Sequence, residues 1–240
     1  MPVRLQAGRT RVVGLLICVA DLLAVSPLRA QTIRPVIAEY KEKARGRFDA
    51  VNESLIPLNV VLEAKSFSVA EDGTPAFRPL DPDIHLKLSQ MSFRIPPQQT
   101  YYVFYEATAA KYPAWFVVYA AFSGLPQQFG LNVQVELPHT VYLLQKQDLT
   151  RSEVQPGKAE FLPTSNQISI EIANTGDRLG RVANVEVRGD REKTVHPGFP
   201  LMPHSHRTVR LDWNNEAAPQ RVIVRFKNFK VEVPLQERRN

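Results

Sequence analysis

Beyond residue 30 the sequence has no cysteine, because Cys18 is the only one in the chain. No disulfide, thiolate metal site or cysteine nucleophile is available there. Glycine is sparse as well, and the 11 glycines form no phosphate-cradling loop. No serine stands in a nucleophile elbow: before Ser123-Gly124, Ala121 holds the place of the elbow's first glycine. No histidine pair flanks a glutamate at helical spacing. A sustained 3.6-residue apolar period is also missing beyond residue 30, which argues against a helical bundle. What remains is a chain without the apparatus of an enzyme, and none is expected.

Residues 1–30 have the order of a secretory signal peptide. Arg4, Arg9 and Arg11 precede an apolar run over residues 12–25, and Ser26-Pro27-Leu28-Arg29-Ala30 places a cut after Ala30. The rival reading is an uncleaved anchor. Asp21 interrupts the run, which leaves it well short of the roughly 20 residues that span a bilayer, so no stable membrane insertion is expected after cleavage. Leu16 and Ile17, before Cys18, are too large for a lipoprotein signal. Four arginines against Asp21 give this leader +3 of the formal +6, leaving +3 on residues 31–240. Those charges are scattered rather than clustered on one face, so nucleic acid is not an expected partner. Export without disulfides requires cores large enough to fold unaided, and two domains of about a hundred residues supply them.

What is present reads as strands. Residues 58–68 form one long run with Val60, Leu62 and Ala64 on one face, and Asp72-Gly73 closes it in a turn. Residues 45–51, 84–88, 93–95 and 101–106 follow the same style, and Pro96-Pro97 punctuates. The run over 114–122 is apolar on both alternating faces, as a central strand covered on both sides would be. In 129–144, Leu131, Val133, Val135 and Leu137 alternate with Asn132, Gln134 and Glu136, giving one aliphatic and one polar face before Pro138 breaks the run. A second block begins in the polar stretch 145–156, with strands expected over 167–173, 182–188, 208–213, 221–226 and 229–235. The expected fold is all-β, two immunoglobulin-like β-sandwiches: a signal peptide over 1–30, an N-terminal domain over 31–147 and a C-terminal domain over 148–240.

The remaining groups of chemical interest read as loops. His196, His204 and His206 share a Pro-rich segment with Met202, a set that suits copper, but Pro and polar residues between strands ordinarily build a connection. Arg188-Gly189-Asp190 is hairpin-turn chemistry rather than a recognition tripeptide. Glu71, Asp72, Asp81 and Asp83 lie in turns as solvated charge. No metal and no cofactor is expected.

Several segments, in order, resemble the two-domain periplasmic pilus chaperones of the PapD-like family. Gly46-Arg47-Phe48-Asp49-Ala50-Val51-Asn52 followed by Pro57-Leu58-Asn59-Val60 is similar to that family's second strand, turn and third strand. Phe77-Arg78-Pro79-Leu80 and Phe93-Arg94-Ile95-Pro96-Pro97-Gln98-Gln99-Thr100 resemble its next two strands, and Gly124-Leu125-Pro126 a following turn. The C-terminal block matches only in strand order and length.

The resemblance implies a chaperone that works without cofactor or ATP in the periplasm, with pilin-like subunits and an outer-membrane usher as partners. It implies that the last strand of the first domain lends Leu131, Val133, Val135 and Leu137 to a subunit lacking its own final strand. On periodicity alone the same face reads as the domain's own core, which leaves a two-domain periplasmic or cell-surface structural protein as the alternative. The family also anchors the subunit's terminal carboxylate with a basic pair. Its lysine falls here on Tyr142, which offers only a hydroxyl, and its arginine on one of Arg34, Lys41 or Lys43.

Overall fold

The computed structural model describes residues 31–124 and 133–237. Residues 1–30, where a signal peptide is expected, and Leu131 lie outside the described residues. The first sandwich comprises β1 (Thr32–Arg34), β2 (Ile37–Lys41), β3 (Ala44–Val51), β4 (Leu58–Val69), β5 (Pro75–Pro79), β6 (Ile84–Leu88), β7 (Ser92–Ile95), β8 (Thr100–Ala109), β9 (Ala114–Ser123) and β10 (Val135–Leu144). One sheet runs β1-β3-β8-β6, and the facing one runs β2-β10-β9-β4-β5, with β7 also on β4. The alternation in β4 sends Leu58, Val60 and Leu62 inward, where they meet Phe48, Ile95, Phe116 and Phe122.

The second sandwich comprises β11 (Val154–Leu162), β12 (Gln167–Asn174), β13 (Gly180–Arg188), β14 (Lys193–Pro197), β15 (Pro200–Leu201), β16 (Ser205–Asp212), β17 (Arg221–Phe226), β18 (Lys230–Pro234) and β19 (Gln236–Glu237). Its sheets are β16-β12-β11-β19 and β14-β13-β17-β18, with β15 on β13. Trp213, Ile168, Ile170, Val185 and Val224 fill its core. The chain is thus all-β, two immunoglobulin-like sandwiches, as its alternation and turn spacing indicated.

Each sandwich hangs on one buried asparagine. Asn52, just past β3, sets its amide against the carbonyls of Ile56 (2.7 Å), Ile95 (3.1 Å) and Pro96 (3.0 Å) and accepts from Ser54 N–H. Asn174, at the end of β12, reaches Arg178 and Met202 carbonyls at 2.6 and 3.0 Å and accepts from Gly176 N–H. Apart from Ile95, which ends β7, these carbonyls lie outside the strands and need a donor once buried.

Two expectations need correction. The stretch 145–156 is not all connector, since β11 starts at Val154 and runs through Pro156-Gly157, where the ladder with β12 shifts register. A bulge absorbs the proline there. Pro138 does not break the preceding run either; it stands inside β10.

A third apolar cluster joins the sandwiches. Phe67, Val117 and Tyr142, on the outer face of the first, pack with Leu179 and Met202 of the second. This is why β9 is apolar on both faces: Phe116, Val118 and Ala120 serve the first core, while Val117 serves this contact.

Candidate functional site

The strand β10 has two different edges. One is paired antiparallel with β9 from Val135↔Phe122 to Leu143↔Ala114. The other is paired with β2 in parallel, but only from Thr140↔Ile37 to Leu144↔Lys41. Among the described residues no strand covers that second edge before Thr140.

The geometry follows from how the chain enters. Strand β1 pairs with β3 in one sheet, and after Pro35 and Val36 the chain continues as β2 in the other. Coverage of β10 therefore begins only where β2 arrives. The first bond there is from Thr140 N–H to the Val36 carbonyl, 2.7 Å. Along a strand, N–H groups point alternately to its two neighbours. Thr140 faces the β2 edge, so Glu136 presents its N–H group to the uncovered part of it. Pro138 falls in the same series and has no N–H to present. Its nitrogen faces the uncovered side, so the β9–β10 ladder loses nothing, and proline is tolerated at such an edge.

The aliphatic face of this strand leaves the core by degrees. Val141 and Leu143 are fully buried. Leu137 is half-buried against the first core, Val135 is half-buried, and Val133 is 39 % exposed. Close by, Val36 and Ile37 are also exposed, at 53 % and 46 %. An unpaired edge bordered by part-exposed branched aliphatics is a template for another strand.

Tyr142 is buried, with the Arg181 guanidinium of β13 lying 5.2 Å over its ring. Arg181 is ion-paired with Glu39, which is the β2 neighbour of Tyr142 in the ladder. Burial raises the Tyr142 pKa above the ordinary phenol value, and Arg181 pulls the other way. The other basic residues do not converge on it. Arg34 lies on β1, exposed, 4.0 Å from Glu53. Lys41 closes β2 and reaches Asp148 at 3.1 Å and the Lys146 carbonyl at 3.1 Å. Lys43 is exposed in the β2–β3 turn.

Sequence reading missed Arg181 and Arg207, the two cations at the contact between sandwiches. Arg207 of β16 stacks over Phe199 at 5.3 Å and donates to the Ala70 carbonyl at 3.1 Å. Beside it, Thr208 N–H donates to the Glu71 carbonyl at 2.9 Å, so the β4–β5 turn clips onto the second sandwich. Arg181 Nη2 and Arg207 Nε are buried without a hydrogen-bond partner among the described residues. No local spacing announces either residue, because the acceptors Glu39 and Ala70 lie 142 and 137 positions away.

The three histidines are not brought together as a metal site. His196 is on β14, His206 is on β16 in the other sheet, and His204 pairs with Asp177 at 2.7 Å. Met202 is buried in the third cluster. Among the described residues no group of three His, Cys, Asp or Glu is poised to hold a metal, and no helix is long and apolar enough to cross a membrane.

No protein-family model matches the chain, and no curated protein does. Solved structures do. The class 5 fimbriae chaperone CfaA is 12 % identical, with a TM-score of 0.52 over 86 % of this chain and 99 % of the other. The Salmonella enterica SafA pilin complex with the SafB chaperone gives 13 % and 0.52, covering 88 % and 98 %. The E. coli chaperone DraB gives 13 % and 0.50, covering 86 % and 98 %. The chain has the fold of these three chaperone structures over nearly their whole length.

Proposed function

We propose that this chain is a periplasmic chaperone that binds and caps pilin-like subunits by lending them a strand, for assembly of a pilus or surface fibre. Residues 31–147 form the domain that carries the donor strand, and 148–240 the second domain. The observation that carries the reading is the uncovered edge of β10 before Thr140, with Val133 and Val135 part-exposed beside it. A subunit lacking its last strand has a groove where that strand belongs. The β10 edge satisfies the groove's backbone groups while the aliphatic side chains fill its pockets. Burying the part of each valine that is still exposed is worth about 1 kcal/mol, a fraction of the value for a fully exposed side chain. The donor set is Leu131, Val133, Val135 and Leu137, with a usher at the outer membrane as the further partner that the fold suggests.

Tyr142 under Arg181 separates this chain from a subunit grip based on a free lysine. Arg181 already neutralises Glu39, and Arg34, Lys41 and Lys43 do not face Tyr142 together. Affinity then rests on the strand rather than on an ion pair with the subunit's end. The alternative, a structural two-sandwich protein with this face permanently covered, has support at Leu137 alone, which already packs on its own core.

The test is co-expression with candidate subunits that lack a final strand, followed by co-purification. Val133→Glu with Val135→Glu should abolish capture while leaving the circular dichroism and melting of the free chain nearly unchanged. Undiminished capture by the double variant would remove the donor assignment.

A further inference from the structure

Between the two sandwiches, beside the contact made by the third apolar cluster, lies a cleft of about 420 Å³. Five of its lining residues are aromatic, and most of the others are apolar. Phe77 stands edge-on to Tyr119 at 5.5 Å, Phe67 stands edge-on to Tyr142 at 6.4 Å, and Phe199 closes the side of the second sandwich. The β4–β5 turn, fixed by its bond to Thr208, bounds one end. The volume falls in the range of small-ligand pockets, and rings that expose faces and edges favour another ring between them.

One charged group stands in this lining. Arg207 lines the cleft, its Nη1 held by the Ala70 carbonyl, yet its Nε is buried with no acceptor among the described residues. Nε itself presents no surface to a ligand, but the guanidinium is a cation in the cleft wall, and a ligand oxygen that meets it gains a charge-assisted hydrogen bond. The cleft is therefore shaped for a ring that carries an oxygen, rather than for a bare hydrocarbon.

Its position indicates what would bring such a ring. Pro138 and Thr140 of β10 form part of the wall. They mark the level at which the uncovered edge ends and β2 takes over. A polypeptide added along that edge therefore passes the mouth of the cleft as it reaches Pro138. We propose that the cleft receives a tyrosine side chain of the captured polypeptide, its ring against Phe77, Tyr119 and Phe199 and its hydroxyl oxygen accepting from the Arg207 guanidinium. This rests on the strand-lending reading for the identity of the occupant, but not for the existence of the pocket.

The probe is p-cresol, the side chain of tyrosine as a free molecule, with toluene as the same ring lacking the oxygen. Trp115 donates to the Phe67 carbonyl at 2.7 Å, so its fluorescence, together with equilibrium dialysis, reports occupancy. The purified chain should bind p-cresol saturably and more tightly than toluene by roughly three- to tenfold, the worth of one hydrogen bond. Arg207→Met should erase that preference. Phe77→Ala, at a half-exposed site on β5, should weaken both probes without unfolding the chain. Absence of saturable binding, or binding indifferent to both substitutions, would overturn the proposal. Val133→Glu with Val135→Glu should leave p-cresol binding intact while abolishing subunit capture, so the two readings fail separately. Capture of subunits that Arg207→Met and Phe77→Ala do not weaken would overturn the tyrosine as occupant.

Discussion

The imidazole of His139 and the hydroxyl of Tyr105 stand 3.0 Å apart inside the first sandwich, and the other ring nitrogen lies 2.7 Å from the Pro35 carbonyl. A carbonyl only accepts, so Nδ1 carries the hydrogen and Nε2 accepts from Tyr105, whose oxygen in turn takes a hydrogen from Tyr40 at 3.0 Å. The chain of bonds ties β10 to the place where the first strand changes sheets. Burial lowers the His139 pKa below 6.5, and the bond to Pro35 opposes this only in part. Above about pH 6.5 the ring is neutral in both folded and unfolded chains, and its contribution to stability is complete. Below it the unfolded ring takes a proton that the folded ring refuses, so stability falls with pH until the lowered folded pKa is passed. His139→Leu should cost about 2–4 kcal/mol at neutral pH, since it strands two buried polar groups. It should also flatten the loss seen by urea denaturation between pH 7.5 and 5.5. Equal slopes in the two proteins would contradict this account.

Asn52 and Asn174 do the same work in the two sandwiches, each setting an amide against carbonyls that lie just outside the strands. Replacing either by alanine should destabilise the chain by about 2–4 kcal/mol, the consequence of leaving several buried carbonyls without a donor. Because the two sites share no partner, the double variant should be additive within about 0.5 kcal/mol. Chemical denaturation of the three variants checks this, and a loss well under 1 kcal/mol at either site would mean that water replaces the amide.

These asparagines also mark the limit of what alternation reveals. The inward faces of β4, β9 and β13 were legible because a period of two leaves a visible pattern of Leu, Val and Phe. The alternation of Val135 and Leu137 was legible for the same reason, but not its exposure, which depends on where β2 begins to cover β10. Strand β11 was hidden because Pro156-Gly157 reads as a break, and only pairing with β12 turns it into a bulge. Arg181 could not be read at all: its partners Tyr142 and Glu39 belong to the other sandwich, and nothing near residue 181 encodes them.

Arg181 lies over Tyr142 and pairs with Glu39, each of the paired side chains about one-third exposed. Water screens such a pair, so Arg181→Met, which keeps the stem over the ring, should cost only about 0.5–1.5 kcal/mol. The difference from the parent should shrink as salt rises from low to molar concentrations. A deficit independent of salt would mean that packing, rather than charge, holds this part of the contact.

Pro138 offers the sharpest test of which way β10 faces. If its nitrogen points to the uncovered edge, no hydrogen bond of the resting fold involves that position. Pro138→Thr should then change the melting of the free chain by no more than about 0.5 kcal/mol. Leu137→Pro, one residue away, removes an N–H aimed at β9 and should cost about 3 kcal/mol or more. The restored N–H at 138 would have two further effects. It offers one more backbone bond to an added strand, so dissociation of a captured subunit should slow by roughly two- to tenfold. It also lengthens the unprotected edge, so the free chain should self-associate more readily at high concentration, as light scattering can measure. A proline here therefore limits both guest binding and edge-to-edge aggregation. Were Pro138→Thr to stabilise or destabilise the monomer strongly, position 138 would have to face β9, and the edge before Thr140 would be organised in the opposite sense.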